Sequence, residues 1–113
     1  MTRKELFEVL KSIGLPIAYY QFKEGDKDNP VPSLPYMVYY YPSRSDESAD
    51  GINFAKKYTL NIELYTKEKD FSAEDKVEEV LENNDIYYLK SESYLNDEQM
   101  YEVLYEGEVI LNG

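Results

Sequence analysis

The sequence predicts a two-layer α+β domain: two helices packed on one face of a mainly antiparallel sheet of about five strands, in the order α-β-β-β-α-β-β. Three observations carry this. Only two segments repeat their apolar residues at helical spacing, whereas five alternate or cluster in the manner of strands. Two amphipathic helices are too few to cover both faces of a five-stranded sheet, so they pack most economically on one. Thirteen of the 113 residues are tyrosines, concentrated in the strand segments, where aromatic side chains are favoured.

The first helix begins at a capping box, Thr2-Arg3-Lys4-Glu5, in which hydroxyl and carboxylate reciprocally satisfy orphan N–H groups. Leu6, Leu10 and Ile13 then mark its buried stripe, and Gly14 with Pro16 ends it, giving a helix over about residues 3–13. Ile17 to Phe22 is β-prone. Lys23 to Ser33, with Gly25, Pro30 and Pro32, reads as an exposed loop in which Asp26 and Asp28 form turns. Pro35 to Tyr41 sets Tyr36, Val38 and Tyr40 against Met37, Tyr39 and Tyr41. Both sides are apolar or aromatic, so this strand covers the core on one face and meets something else on the other.

Ser43 to Ala55 is polar and flexible in composition. Lys57 to Tyr65 is the cleanest strand, with Tyr58, Leu60, Ile62 and Leu64 on one face and Thr59, Asn61, Glu63 and Tyr65 on the other. The second helix takes Ser72 as N-cap, buries Ala73, Val77, Val80 and Leu81, and ends at Asn83-Asn84. Its carboxylates (Glu74, Asp75, Glu78 and Glu79) are expected on the solvent face. Ile86 to Ser91 and Met100 to Ile110 are the last two strands, joined by polar residues 92–99.

The composition removes much chemistry. The chain has no histidine, cysteine or tryptophan, so the commonest neutral-pH base, thiolate nucleophile and soft metal ligands are missing. Asp46 to Gly51 resembles the start of a calcium loop, but Lys57 stands where the closing bidentate glutamate belongs. No phosphate-cradling glycine loop is present. The expectation is a protein without catalytic residues, cofactor or metal, soluble and intracellular, since no apolar signal core opens the chain and no stretch approaches the ~20 apolar residues of a membrane span.

The net charge is −11. Residues 1–42 carry five basic and five acidic side chains, and residues 43–113 carry seven basic and eighteen acidic, so the entire excess lies in the second part. Such a surface repels phosphate backbones and anionic lipids, which argues against tight nucleic-acid or membrane binding. Tyrosine, with its apolar body and polar tip, is enriched where proteins meet. Tyr36, Tyr39, Tyr41, Tyr65 and Tyr87 are therefore candidates for a subunit interface.

The segments Leu34-Pro-Tyr-Met-Val-Tyr-Tyr40, Ala49-Asp50, Ile62-Glu-Leu-Tyr-Thr-Lys-Glu-Lys-Asp70 and Glu78-Glu-Val-Leu81 together resemble the short tail-completion or head–tail joining proteins of tailed phages and prophages of Gram-positive bacteria. The resemblance runs from about residue 3 to 106 and rests on strand and loop signatures rather than catalytic ones. It implies one tail-completion domain over residues 1–113, similar in element order to the terminators of long non-contractile tails. Those terminators form rings, commonly hexamers, that cap the tail tube and present it to the head connector.

By that resemblance the protein would be a virion structural component, made in the host bacterial cytoplasm and carried at the head–tail interface. Its partners would be copies of itself, the tail-tube protein and the head connector. Glu102, Glu106 and Glu108, alternating with Val103 and Tyr105, would form an acidic surface past which DNA moves without sticking. The alternative is an acidic DNA-mimicking inhibitor or regulatory binding protein, which requires its carboxylates in a continuous double stripe on an outer face.

Overall fold

A computed structural model describes residues 1–23, 31–49 and 52–112, with the side chains of 47–49 and 52–54 excepted. Its elements are α1 (Arg3–Lys11), β1 (Ile17–Tyr19), β2 (Tyr36–Tyr40), β3 (Arg44–Ala49), β4 (Ile52–Thr66), α2 (Phe71–Asn83), β5 (Tyr88–Leu95) and β6 (Met100–Ile110). The strands form one sheet in the order β1-β2-β4-β6-β5, with β3 also paired to β4. All pairings are antiparallel except β1 with β2. The α+β class and the single helical layer are as the sequence predicts; the described residues form six strands.

Both helices lie on one sheet face. Leu6, Leu10 and Ile13 from the α1 segment, and Ala73, Val77 and Leu81 from α2, join Leu60, Ile62 and Leu64 of β4 in one buried cluster with Met37, Val103 and Tyr105. Alternation explains the sidedness. The β4 residues Leu60, Ile62, Leu64 and Thr66 are buried, whereas Thr59, Asn61, Glu63 and Tyr65 between them are only half-buried.

The helix ends are locally encoded. Glu5 N–H donates to Thr2 Oγ1 (3.1 Å) and Thr2 N–H to Glu5 Oε1 (2.9 Å), completing the capping box. α1 stops at Lys11 with Ser12 as C-cap, and Gly14 follows at φ +90°. The N-cap of α2 is Asp70 rather than Ser72: its Oδ1 accepts from Ala73 N–H at 3.0 Å, which starts the helix at Phe71. At the other end Asp85, at φ +56°, takes the place usually given to glycine. Ile86 N–H reaches Leu81 O (2.9 Å) and Asp85 N–H reaches Glu82 O (3.1 Å), the two bonds of a Schellman ending.

Three strand boundaries differ from the sequence expectation. β1 is cut short because Tyr20 adopts φ +68° and Gln21 N–H turns back onto Tyr19 O. β5 starts later and runs longer, since Ile86 is held by the helix ending. The polar stretch expected to be flexible instead supplies β3 and the first part of a fifteen-residue β4. A ladder needs backbone groups rather than apolar side chains, and Ser43 O accepts from Thr59 N–H (2.9 Å) while Arg44 pairs with Asp46 (2.8 Å). Residues 24–30 of the expected 23–33 loop, and the Asp50-Gly51 end of the calcium-like stretch, lie outside the described residues. No helix among the described residues is long and apolar enough to cross a membrane.

Leu81 is 1% exposed, so Leu81→Ala is expected to cost about 2–5 kcal/mol in a denaturant titration, the range of a core truncation. Gly107 makes a second, sharper case. A Cβ there would stand 2.4 Å from the Tyr87 carbonyl oxygen, too close for the β5–β6 ladder to stay in place. Gly107→Ala should therefore lower stability by about 1–3 kcal/mol and raise hydrogen exchange first at the start of β5.

Candidate assembly surface

No described helix covers the second face of the sheet, although Tyr20 and Phe22 pack on its β2 side and Val38 there is 4% exposed. Pairing brings Tyr36 opposite Tyr65 and Tyr65 opposite Glu102, then Val38 opposite Glu63 and Glu63 opposite Leu104. Tyr40 and Glu106 flank Asn61, and Glu108 stands opposite Thr59. The face is thus aromatic toward β1 and β2 and acidic along β6.

Its centre is fixed by Glu63. Tyr40 donates its hydroxyl to Glu63 Oε2 at 2.8 Å, and Tyr65 donates to Oε1 at 2.5 Å. Burial, and then the Glu63 carboxylate beside it, pushes the Tyr65 hydroxyl well above the ordinary tyrosine range. Half-burial and the charge of Glu63 likewise raise Glu102, although Tyr65 works in the opposite sense. Around this centre Tyr36 packs on Tyr65 (ring centroids 5.6 Å) and on Phe22 (5.2 Å), and Tyr20 packs edge-on to Tyr40 (5.4 Å). The rings are held against one another, and Glu63 ties Tyr40 to Tyr65.

The five candidate interface tyrosines do not stay together. Tyr36 and Tyr65 share the open face. Tyr39 does not: it is 8% exposed, on the helix side, packed on Phe7 (6.2 Å) and Tyr19 (5.2 Å). It is a core residue, because its alternation parity is that of buried Met37. Tyr41 follows the same parity and packs half-buried on Tyr58 (5.1 Å), its hydroxyl pushed up to about 12 by burial and by Tyr39 and Tyr19. Tyr87 stands at the start of the sheet's far edge, 90% exposed. Of the three carboxylates, all alternate away from the core; Glu106 and Glu108 are exposed, whereas Glu102 is half-buried.

Sequence reasoning missed two sets of residues. Tyr40 and Glu63 were assigned to strand faces, but their partnership depends on which strands pair. The second set is an ionic cluster under α2, built around one buried carboxylate. Glu74, expected on the solvent face, is 1% exposed. Lys69 Nζ lies 2.6 Å from its Oε2 and Lys90 Nζ 2.8 Å from its Oε1. Lys90 also reaches Glu78 Oε2 (2.7 Å), which accepts the Tyr105 hydroxyl (2.7 Å), and Lys69 contacts Glu92. The signal was in the spacing: Glu74 lies three residues before Val77 and seven before Leu81, on their stripe.

Compared with known proteins, the chain matches no protein-family profile, and no curated protein matches it in sequence. Its fold is similar to that of a chain in a solved structure described as "Virion of native gene transfer agent (GTA) particle". The TM-score is 0.59 at 11% identity, covering 93% of this chain and 84% of that one. The likeness is one of fold.

The ionic cluster sets a pH dependence. Burial alone would raise Glu74, but Lys69 and Lys90 outweigh it and hold the carboxyl below its ordinary value. A depressed carboxylate contributes stability above its unfolded-state pKa and loses it as pH falls through the folded value. Lys90 is the mirror case: burial would lower it, yet Glu74 and Glu78 raise it. Its contribution is present below the ordinary lysine range and is lost as pH rises through the folded value. Thermal melts should show Lys90→Met flattening the alkaline decline and Glu74→Gln flattening the acid one. Unchanged pH profiles in both variants would contradict the cluster's role.

Proposed function

We propose that this protein is a virion structural component that completes a phage or prophage tail and joins it to the head, assembling as a ring around the DNA passage and catalysing no reaction. The observation that carries the reading is the helix-free sheet face, aromatic at one end and acidic at the other, on a fold similar to that of a chain of a gene transfer agent virion. The resemblance of the strand segments to tail-completion proteins points the same way. In this reading Tyr36, Tyr40 and Tyr65 meet a neighbouring protein, for which their apolar bodies and hydroxyl tips are suited. Glu106 and Glu108 face the passage, where carboxylates keep phosphates from adhering. The tail-tube protein below and the head connector above are the proposed partners.

The DNA-mimic reading has less support. A mimic needs its carboxylates in a continuous outer stripe, yet Glu74 and Glu78 are tied to Lys69 and Lys90 between α2 and β5.

Deleting the gene from an inducible phage should leave heads and tube protein intact but few joined particles in electron micrographs, with infectious yield lost. Normal yield from the deletion would end the reading. The purified protein should bind no DNA at low salt, where nonspecific attraction is strongest. Glu106→Lys with Glu108→Lys should leave the fold unchanged, because both side chains are exposed. That variant should gain DNA affinity that falls as salt rises and should impair DNA passage or retention.

A further inference from the structure

The two edges of the sheet differ in charge while both display exposed aromatic residues. α1 packs over β2, through Phe7 on Tyr39. α2 packs over β5 and β6, where Glu82 accepts the Tyr88 hydroxyl (3.1 Å) and Glu78 accepts from Lys90 and Tyr105. Each helix therefore belongs to one edge. The β1 edge exposes Tyr19 (52%) and Tyr20 (62%), and α1, packed over neighbouring β2, exposes Lys4 and Lys11 together with Glu5 and Glu8. The β5 edge exposes Tyr87 (90%), next to Tyr88 whose hydroxyl meets Glu82 of α2, and Leu89 (77%), which lies opposite Glu106 on the sheet face away from the helices; Glu79 and Glu82 of α2 are exposed. The chain's acid excess lies wholly in residues 43–113, so the β1 edge carries none of it.

We propose that the β5 edge of one copy docks on the β1 edge of a second copy, placing Tyr87 and Leu89 against Tyr19 and Tyr20 and the acidic flank of α2 against α1. The occupant is another copy of this chain because the chain itself supplies both halves of the match, apolar to apolar and acidic to basic. Two different patches at opposite edges make a heterologous contact, which repeats head to tail and closes into a ring when its rotation divides the circle. β1 is only three residues long and is ended by Tyr20, so backbone pairing across the joint is short. Side-chain packing and charge hold it. The same docking engages the second sheet face only at its margins, through Leu89 and Tyr20, and leaves its centre around Glu63 open. The contact rests on the ring reading only for the premise that copies meet.

The chain's lack of cysteine permits a direct test. Tyr19→Cys and Tyr87→Cys variants, each checked for folding by circular dichroism, are mixed in equal amounts under mild oxidation, alone and in purified particles. The mixture should yield a disulfide-linked dimer well above that from either variant alone. The yield should drop at about 1 M salt, where the Debye length is about 3 Å. Independently, Lys4→Glu with Lys11→Glu, and separately Glu79→Lys with Glu82→Lys, should each reduce association measured by sedimentation, and mixing the two reversed proteins should restore it. Cross-linking of Tyr87→Cys to itself as efficiently as in the mixture would show a two-fold contact and overturn the proposal, as would absence of the mixed product both in solution and in particles. Mixed cross-links from a protein missing from particles would uphold this contact while removing the virion role. A chain present in particles without the mixed cross-link would do the reverse.

Discussion

The sheet depends on β4. Its fifteen residues pair with β6 on one side and with β2 and β3 on the other, so it joins the two halves of the sheet. Its alternation allows only one arrangement. Leu60, Ile62 and Leu64 must leave water together, and only helices on that side can cover them. A register slip by one residue would turn Glu63 and Asn61 into the apolar core. Burial of one face thus fixes the composition of the other.

That other face acquires its character by the same constraint. Once Met37, Tyr39, Leu60, Ile62, Val103 and Tyr105 are committed to the core, Tyr36, Tyr40, Glu63, Tyr65 and Glu102 are forced to the opposite side and into one patch. Glu63 is the point that organises it, because its two oxygens accept hydroxyls from two different strands. A half-buried carboxylate with satisfied oxygens is stable where a lone one would not be. The patch is a consequence of strand pairing rather than of any local motif.

Under α2 the chemistry is reversed. There a carboxylate is taken out of water, and two lysines from outside the helix follow it: Lys69 from the preceding loop and Lys90 from the edge strand. The cluster ties β5 to the helix layer, which matters because an edge strand has neighbours on one side only. It also engages Lys90 on the helix side, while Tyr87 and Leu89 remain the most exposed large apolar side chains of that edge.

Local features were legible in the sequence. The capping box, the two helical stripes, the α+β class, the single helical layer, the β6 span and the outward direction of Glu102, Glu106 and Glu108 follow from spacing and residue type, which act within a few residues. Pairing decided the rest. Polar residues 44–49 became a strand because β4 offered them a ladder. Tyr39 went to the core and Tyr36 to the surface because a tyrosine satisfies either side, so residue type alone could not separate them. Glu74 was buried because Lys69 and Lys90, five residues before it and sixteen after, converge on it only in the folded chain. The sequence determined which side chains share a strand face, since alternation is a property of the backbone. Only the tertiary structure decided which charges and rings meet across strands, because those contacts join residues that the chain keeps far apart.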